Sequence, residues 1–517
     1  MAHRPTSGTR PRSPRARALA LALAGSLGLA ACNAGSGGGD GGATGTAGPQ
    51  TDEVTIGLVA EPASLDFTTT DGAAIPQALL YNVYETLVKI DQDGDMVGAL
   101  ASDWEVSEDR RTYTFTLVED AVFSNGEPFT AEDVVFSIER VQSEDWTVSL
   151  KSQMDVVESV EATGDHEVQV RLSRPSNSWL YAMTTRIGAM FDQNGVSDLA
   201  EDPIGTGPYA FSSWQRGSSI TLERNPDYWG EEPHFDTVTL RYFQDPTALN
   251  NALLSDGIDV IGTVQAPESI EQFEGGDYQI IEGTTNGEVV LSFNNESGPF
   301  TDRSVRQAVR HAIDHQALLD TCWAGRGTLI GSMVPPTDPW YEDRTGDYEF
   351  DPDRARQLLQ DAGAAGETVR LRIPTLPYAQ ACGPVVESML EDVGLDVRLD
   401  ELEFPSQWLE VVFTNADYDM SIVAHVEPRD LPAVFGNPDY YTRYGTAELT
   451  TLLDEADSGT EEEQVAKMKQ AARLISEDAA ADFLFLLPNL IVAKPGITGL
   501  PENAITESFD LSQLAAE

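Results

Sequence analysis

A predicted turn and the predicted start of a helix lie close together in the segment Phe123-Ser124-Asn125-Gly126-Glu127-Pro128-Phe129-Thr130-Ala131-Glu132-Asp133-Val134. Ser124-Asn125-Gly126 is a hairpin or bulge signal. Residues 112–117 precede it, and their alternation of polar and apolar side chains predicts a half-buried strand. Thr130 is a good N-cap for a helix that begins at Ala131. The stretch therefore predicts a strand, a turn and a helix in succession, which favours a mixed α and β fold.

The same alternation of elements continues along the chain. Further strands are predicted at residues 167–172, 219–223, 237–243, 288–293, 369–373, 395–399 and 419–424. Helices are predicted at residues 304–321, 353–362, 383–393 and 462–477. Strands and helices alternate most regularly from residue 291 onward, which predicts an α/β lobe there.

The N-terminus predicts where the protein works. Residues 1–17 carry five arginines and no acidic residue, and a short apolar stretch, residues 18–31, then ends in Leu29-Ala30-Ala31-Cys32. This is the pattern of a secretory signal, and the stretch is too short to cross a bilayer. Leu29-Ala30-Ala31-Cys32 resembles the lipobox of bacterial lipoproteins, which implies cleavage before Cys32 and acylation of that residue. The alternative is an ordinary cleaved signal with a chance cysteine. Several acyl chains on Cys32 would anchor the protein stably to the outer face of the cell membrane.

A glycine-rich tether and an acidic body follow. Residues 33–50 contain eight glycines and no large apolar side chain, so residues 32–50 are predicted to form the lipidated end and a flexible tether. The chain has 32 Lys and Arg against 85 Asp and Glu, a formal net charge of −53, which excludes a nucleic-acid binder. An acid excess of this kind is typical of solubility or salt adaptation, and the alternative is attraction of cationic solutes; a uniform excess does not define a binding site.

No local enzyme motif is found in the sequence. It contains no GxxxxGK[ST] phosphate loop, no HExxH zinc motif, no GxSxG nucleophile elbow and no strand-to-helix GxGxxG fingerprint. His311 and His315 share a face of the predicted helix 304–321, but a zinc site needs three or four ligands and nothing nearby completes it. We therefore predict no enzyme activity, no metal site and no cofactor.

Two cysteines remain beyond the lipobox, Cys322 and Cys382. Disulfides persist outside the cytoplasm, so these two residues are a possible bridge. The sequence leaves the bridge open, because it does not show whether their Cα atoms come within about 7 Å.

Three blocks of sequence together resemble one protein family. The first comprises residues 81–88, 98–104, 113–117 and 123–134. The second is Pro203-Ile204-Gly205-Thr206-Gly207-Pro208-Tyr209 followed by residues 222–230, and the third is Phe293-Asn294-Asn295 leading into residues 305–308 and 312–314. Over nearly the whole mature chain, these blocks resemble the family 5 extracellular solute-binding proteins of bacterial ABC importers. That group includes dipeptide-, oligopeptide- and nickel-binding proteins.

The resemblance implies an α/β, two-lobed periplasmic-binding-protein-like fold, type II, in the large variant with an extra N-terminal subdomain. The implied boundaries are a signal peptide at 1–31, the tether at 32–50, a first-lobe base at 51–80, 203–290 and 485–517, the extra subdomain at 81–202, and a second lobe at 291–484. Two crossovers would form the hinge, and ligand in the cleft would favour the closed state. The closed monomer would then dock on a membrane permease powered by a separate ATPase.

The resemblance favours a short peptide as the captured solute. A nickel chelate or an oligosaccharide on the same fold is the alternative, as is a sensing role in place of transport. A secreted hydrolase is disfavoured because it would need a catalytic constellation assembled without any local motif.

Candidate ligand-binding residues lie mainly in the segment 421–435, which follows a predicted strand. Relatives that bind peptides place there an acidic residue that pairs with the peptide α-amino group. Glu427 and Asp430 are therefore candidates for binding a cation, and Arg429 is a candidate for binding a carboxylate. The alternative is an ordinary ion pair between Glu427 and Arg429. Position in the resemblance adds further candidates for the cleft wall: Asp66, Phe67, Trp179, Gly205, Thr206, Gly207, Phe404 and Trp408. The Gly205–Gly207 turn is also fully explained by structural need.

Overall fold

The structure is a computed structural model, and it describes residues 52–517. The predicted signal peptide, the lipidation site Cys32 and the tether lie outside the described residues.

Residues 52–517 form eighteen strands. They are β1 Glu53–Leu58, β2 Val88–Ile90, β3 Met96–Gly98, β4 Ala101–Val106, β5 Thr112–Leu117, β6 Val157–Gly164, β7 Glu167–Leu172, β8 Tyr209–Gln215, β9 Ser219–Arg224, β10 Thr237–Tyr242, β11 Val260–Ile261, β12 Gln279–Phe293, β13 Thr368–Pro374, β14 Asp396–Leu402, β15 Met420–His425, β16 Ala481–Ala493, β17 Ile497–Thr498 and β18 Ala515–Ala516.

The same residues form twelve α-helices. They are α1 Ala74–Leu79, α2 Ala131–Gln142, α3 Asn177–Ala182, α4 Pro246–Leu254, α5 Arg303–Ala312, α6 His315–Cys322, α7 Pro352–Ala362, α8 Pro377–Asp392, α9 Ser406–Trp408, α10 Leu431–Gly436, α11 Ala447–Ser458 and α12 Glu461–Glu477. Short 3-10 turns occur at Ser149–Met154, Arg186–Gly188, Val196–Asp198, Pro267–Gln272 and Gly298–Thr301, and a π turn at Leu409–Thr414 follows α9.

Ten strands join into one large sheet in the order β14-β13-β15-β12-β16-β11-β1-β10-β9-β8. We call the part from β11 to β8 the first lobe and the part from β14 to β15 the second lobe. In the first lobe β1 runs parallel to both β10 and β11. In the second lobe β13 runs parallel to both β14 and β15. Each lobe is therefore an α/β unit of the kind predicted for the second half of the chain.

The long strands β12 and β16 connect the two lobes. The first part of β12, up to Thr284, pairs only with the second part of β16, which also pairs with β11. From Glu288 onward, β12 pairs with the first part of β16 and also with β15. The β12–β16 register shifts between Thr284 and Glu288, so the ladder is irregular where the chain passes from one lobe to the other. Residues 285–287 thus lie at the junction of the lobes.

A four-stranded antiparallel sheet, β4-β5-β7-β6, forms the extra subdomain. Helix α2 starts at a capping box in which Thr130 and Asp133 bond each other's backbone N–H groups. The hydrophobic core of this subdomain is continuous with that of the first lobe, since Phe115 and Val168 belong to the same buried cluster as Ile56 and Val238. The subdomain is therefore fixed on the first lobe.

Buried side chains cover both faces of the second-lobe sheet. Along β12, Val289, Leu291 and Phe293 point into a core formed with α5–α8, whereas Val290 points into a second core formed with α10–α12. This alternation is the two-residue period of a strand that is buried on both faces. Consequently Glu288, two residues before Val290, lies on the α10–α12 side.

Two of the predicted helices differ from the structure by more than one residue at an end. The predicted helix 304–321 is divided into α5 and α6, because Ile313 is extended and the Asp314 carboxylate accepts a hydrogen bond from the backbone N–H of Ala317 as a new N-cap. The predicted helix 383–393 begins earlier, at Pro377, a residue well suited to a first turn.

Within residues 52–517, no helix combines the length and the apolar character needed to span a membrane.

Candidate functional site

Several chain segments of the second lobe converge at the edge that faces the first lobe. Strands β13 and β15 run parallel and end there at Pro374 and His425, and the second part of β12 starts there at Glu288. Ligands of open α/β sheets bind outside the carboxyl ends of the strands. The segment 426–430, which follows β15, is therefore well placed to contact a ligand.

Glu288, His425 and Asp430 form the inner part of this edge. Glu288 and His425 are register partners in the β12–β15 ladder. The Nδ1 atom of His425 lies 3.4 Å from a carboxylate oxygen of Asp430, and its Nε2 atom lies 2.9 Å from the hydroxyl oxygen of Tyr441. The Tyr441 hydroxyl in turn lies 2.7 Å from that of Ser292. These contacts fix the orientation of the imidazole ring.

The pKa values of two carboxyl groups at this edge, Glu288 and Asp430, are raised. Burial raises the pKa of Glu288 well above its ordinary value, and the nearby carboxylates of Asp430, Asp338 and Glu427 raise it further. Burial also raises the pKa of Asp430, although the hydrogen bond and the charge of His425 lower it. Glu288 is only 2% exposed, and its Oε2 atom has no hydrogen-bond partner among the described residues.

Arg429 is held in place by three neighbours. Its Nε atom lies 3.2 Å from a carboxylate oxygen of Asp338, and its guanidinium lies over the rings of Tyr181 and Trp340, 3.8 and 4.7 Å from their centres. Burial raises the pKa of Asp338 to about 6, although the charge of Arg429 lowers it. Since Arg429 pairs with Asp338, the alternative ion pair between Glu427 and Arg429 is wrong. Tyr181 belongs to α3 beside the extra subdomain, so this contact crosses between the lobes.

The first lobe contributes charged residues that face the same space. Arg186 donates hydrogen bonds from its backbone N–H and its Nε atom to the Glu507 carboxylate, both at 2.7 Å, and from Nη1 to Asp71 at 3.1 Å. Burial raises the pKa of Glu507, Arg186 lowers it, and the carboxylate of Glu427 raises it. Glu427, in the second lobe, is exposed. Carboxylates of the two lobes are therefore close enough to repel one another.

Together these side chains form what we call the interlobe acidic cluster: Asp71, Glu288, Asp338, Glu427, Asp430 and Glu507. Arg186, Arg429 and His425 are the basic groups in contact with it. Each of the two arginines is paired with members of the cluster, and His425 contacts Asp430. Glu288 and Glu427 have no cationic partner among the described residues, so acidic groups outnumber basic groups in the space between the lobes.

Cavities lie on both sides of the segment 426–430. The hinge cavity, about 290 Å³, is lined by the lobe junction 285–287 and by apolar groups that include Trp323, Tyr378 and Val426. The α3 cavity, about 400 Å³, is lined by Tyr181, Trp340, Arg429 and the exposed surface of α11. Mostly apolar cavities with a few polar groups are typical of sites for small ligands.

Three of the predicted cleft residues lie in packed parts of the first lobe and extra subdomain. Phe67 is 1% exposed and packs against the rings of Tyr84, Trp146 and Phe191. Trp179 is equally buried and packs against Tyr113 and Phe115. Asp66 accepts hydrogen bonds from Thr68 and Thr69 and so closes a local turn. Their burial and local bonding place these three residues in structural roles.

The turn Gly205-Thr206-Gly207 also has a structural role. A Cβ atom on Gly205 or Gly207 would overlap the backbone carbonyl groups of Val83 and Asn82. Thr206 donates a hydrogen bond to the buried Glu85 carboxylate, which also accepts from Tyr228 and Trp229. Only glycine permits such a close approach of two backbone segments.

Phe404 and Trp408 lie near the site without being part of it. Trp408 is 4% exposed, packs on Tyr441 and donates a hydrogen bond from Nε1 to the Ser421 hydroxyl. Phe404 is 37% exposed and packs on Trp408. Trp408 thus supports Tyr441, which orients His425.

The remaining predicted features concern histidine and cysteine. His311 and His315 lie on different helices, where His311 bonds the Glu349 carbonyl and His315 bonds the buried Asp482. Among residues 52–517, no three His, Cys, Asp or Glu side chains are grouped closely enough to hold a metal ion. Cys322 and Cys382 form a disulfide between α6 and α8, so the bridge that the sequence left open is made.

Sequence reasoning missed five members of the site. They are Asp71, Arg186, Glu288, Asp338 and Glu507. Each comes from a separate part of the chain, and none lies in a motif of its own. The one available signal was the Glu residue at the start of the predicted strand 288–293, where an acid precedes an otherwise apolar run.

Two lobes joined by crossover strands, with ionisable groups of both lobes facing one space, are the arrangement of a hinge-closing solute receptor. A family model for bacterial extracellular solute-binding proteins, family 5, matches residues 95–446. The chain belongs to this family, so it is the substrate-binding protein of an ABC transporter and works outside the cytoplasm. The predicted family, the predicted fold class and the prediction that the chain is no enzyme are thereby confirmed.

Individual relatives cover nearly the whole chain. The chain is 24% identical over 491 residues to the Escherichia coli protein named "Probable D,D-dipeptide-binding periplasmic protein DdpA", with 90% of this chain and 94% of that protein aligned. The structure of NikA from Brucella suis in complex with Fe(III)-EDTA is 25% identical, has a TM-score of 0.79, and covers 90% of this chain and 100% of its own. The structure of DppA from Helicobacter pylori in complex with the peptide STSA is 21% identical and has a TM-score of 0.74. It covers 90% of this chain and 98% of its own. The last of these shows similarity of fold alone.

Proposed function

We propose that this protein is a lipid-anchored receptor that captures short peptides between its lobes and delivers them to an ABC importer permease. In this proposal Cys32 carries the lipid, and the chain acts as a monomer. The lobe boundary in this proposal lies at residues 285–287, a few residues before the predicted start of the second lobe at 291, and these residues form part of the hinge. The similarity to relatives named for dipeptide binding supports a peptide as the solute.

The main support for this proposal is the unpaired carboxylate of Glu427 at the mouth of the interlobe acidic cluster. A peptide presents one ammonium group at its N-terminus, and a carboxylate is the natural partner of that group. Glu427 is exposed and has no ion pair among the described residues, whereas Asp430 already contacts His425. Glu427 is therefore our principal anchor for the α-amino group, and Asp430 is the second.

The charge distribution also explains how a ligand would favour closure. Glu427 in the second lobe and Glu507 in the first lobe repel each other when the lobes approach. An ammonium group between them replaces this repulsion by attraction. A ligand stabilises whichever state it binds more tightly, so a cation that contacts both lobes shifts the equilibrium toward the closed form.

The peptide itself provides the test of this function. We would measure binding of trialanine and of N-acetyl-trialanine to the full chain by isothermal titration calorimetry. Loss of the ammonium group should weaken binding by about tenfold or more, as expected for a charge-assisted hydrogen bond. The variant Glu427→Gln should reduce this difference, and Glu410→Gln, at an exposed position of the same lobe, serves as the matched control.

Two results would contradict the peptide proposal. Equal binding of the acetylated and free peptides would remove the role of Glu427 as an amine anchor. Binding of a nickel chelate or an oligosaccharide in the absence of any peptide binding would replace the solute while keeping the family.

The lipid anchor has a separate test. A protein acylated at Cys32 should incorporate labelled palmitate and fractionate with membranes, and Cys32→Ser should do neither. Release of the wild-type protein into the medium would show an ordinary cleaved signal instead.

A further inference from the structure

Binding of one α-amino group does not explain why the interlobe acidic cluster contains Glu288. It sits at the first paired residue of the second-lobe part of β12, is 2% exposed, and has an Oε2 atom without a hydrogen-bond partner among the described residues. A buried acceptor of this kind is costly unless something binds it. The cost is tolerated where a ligand supplies the missing partner.

The surroundings of Glu288 determine what that partner is. Among its neighbours, the carboxylates of Asp430, Asp338 and Glu427 disfavour the charged form of Glu288. The nearest basic groups are already engaged, since His425 contacts Asp430 and Arg429 contacts Asp338. A neutral donor would satisfy Oε2, but a cation would in addition stabilise the charged form of Glu288 against these neighbouring acids, so the environment favours a cation.

The position of Glu288 relative to Glu427 sets the geometry of such a ligand. Glu288 pairs with His425 in the ladder, and Glu427 lies two residues beyond His425. His425 is the last residue of β15, so Glu427 lies in the segment that leaves the strand next to Glu288. A lysine as the first residue of a peptide carries an α-amino and an ε-amino group, so one residue can present a cation to each of these acids.

We propose that the cleft has a second cation subsite at Glu288 and that the protein selects dicationic ligands, above all peptides with Lys or Arg as the first residue. This inference rests on the proposed function, in which Glu427 and Asp430 bind the α-amino group. The side-chain cation enters between Glu288 and Asp430, where it satisfies Oε2 and neutralises the acids around it. Glu288 is then a specificity-determining residue, distinct from the amine anchor.

The test compares Lys-Ala-Ala with norleucine-Ala-Ala on the full wild-type chain by isothermal titration calorimetry. Norleucine has nearly the shape of lysine but no charge, so the pair isolates the second cation without any mutation. We expect Lys-Ala-Ala to bind about tenfold or more tightly than norleucine-Ala-Ala, the ratio that one charge-assisted hydrogen bond gives. Equal affinities in the wild type would overturn the inference while leaving the peptide function intact.

Variants then test whether Glu288 causes the preference for Lys-Ala-Ala. Glu288→Gln should reduce the preference to under about threefold, because an amide keeps the shape but loses the charge. The matched control is Glu161→Gln on an exposed position of β6, which should keep the full preference. A full preference in Glu288→Gln would place the subsite elsewhere and overturn the inference. If Glu288→Gln does not fold, the wild-type comparison still decides.

A diamine separates this inference from the proposed function. Binding of 1,4-diaminobutane with no binding of either peptide would support the dicationic subsite and contradict the peptide proposal. If neither peptide nor diamine binds, both proposals fail.

Discussion

Glu288 lies opposite His425 in the β12–β15 ladder, at the point where the second lobe begins. One strand of this pair is the crossover from the first lobe, and the other leads directly into the segment 426–430. The pair therefore connects the lobe junction to the residues that face a ligand.

The first prediction concerns Glu85. Burial raises the pKa of this carboxyl group from an ordinary value of 4.5 to about 7, although hydrogen bonds from Trp229, Thr206 and Tyr228 lower it. Because the folded-state pKa is raised, the stability that protonation of Glu85 contributes is fully present below about pH 4.5 and is lost as the pH rises through 7. Part of the fall in melting temperature between pH 5 and 8 should therefore disappear in Glu85→Gln.

The measurement is the melting temperature of Glu85→Gln against that of the wild type across this pH range. The exposed Glu127→Gln is the control and should follow the wild type. If the difference between Glu85→Gln and wild type is constant over the whole range, the carboxyl group does not titrate there.

The second prediction concerns Gly205. A Cβ atom at this position would overlap the backbone carbonyl of Val83, so Gly205→Ala must displace one of the two segments. We expect a loss of more than about 3 kcal/mol in the free energy of unfolding, or no folded protein, since overlap with backbone is not relieved by a rotamer change. Chemical denaturation would measure this.

Gly164→Ala provides the comparison for Gly205→Ala. Its nearest heavy atom, Cβ of Glu167, would be 3.8 Å away, which is ordinary contact, so its cost should stay below about 1 kcal/mol. Equal stability of the two variants would show that the turn yields without strain.

Local patterns in the sequence predicted much of the fold. The strand at Glu167–Leu172 has the predicted bounds, because its alternation is uninterrupted and one face is buried. The prediction of one helix over residues 304–321 was wrong at Asp314. The apolar residues keep their helical spacing across Asp314, although this residue is the N-cap of a second helix. Helical periodicity alone does not distinguish one long helix from two consecutive short ones.

The candidate site was predictable only in part. Glu427, Arg429 and Asp430 follow a predicted strand in one segment, so the sequence located them. Glu288 and Glu507 join them only through the crossover strands and the C-terminal segment, and no local pattern encodes such distant proximity. Phe67 and Trp179 were assigned to the cleft by position, but aromatic side chains bury large areas and here fill the core.

The third prediction concerns the disulfide between Cys322 and Cys382. It closes a loop with a sequence separation of 60 residues. Restricting the unfolded chain in this way contributes about 4 kcal/mol by loop-closure entropy, with measured values for disulfides typically 2–4. Reduction with dithiothreitol should therefore lower the melting temperature of the wild type, and the Cys322→Ser/Cys382→Ser double variant should show the lower value without reductant. If the double variant has the same melting temperature as the oxidised wild type, the disulfide does not contribute to stability.

The last prediction concerns Asp457 on α11 of the second lobe, which contacts the start of α3 and the residues just before it. Its carboxylate accepts hydrogen bonds from the hydroxyl and backbone N–H of Ser178, at 2.6 and 2.9 Å, and from Ser176 and Arg174. Burial raises the pKa of Asp457, but hydrogen bonds from Arg174, Ser178 and Ser176 outweigh this effect and hold it below its ordinary value. Asp457 therefore stays charged, and its contacts exist only while the two parts are together.

Removing this carboxylate should shift the molecule toward an open form. Each hydrogen bond to a charged group contributes about 1.5–3 kcal/mol, so Asp457→Ala should weaken ligand binding by about tenfold or more. The radius of gyration of the unliganded variant in small-angle X-ray scattering should exceed that of the wild type. Glu448→Gln, at an exposed position on the same helix away from both cavities, is the control and should change neither quantity. A variant with weaker binding but an unchanged radius would assign Asp457 to the ligand rather than to closure, because only closure changes the separation of the lobes.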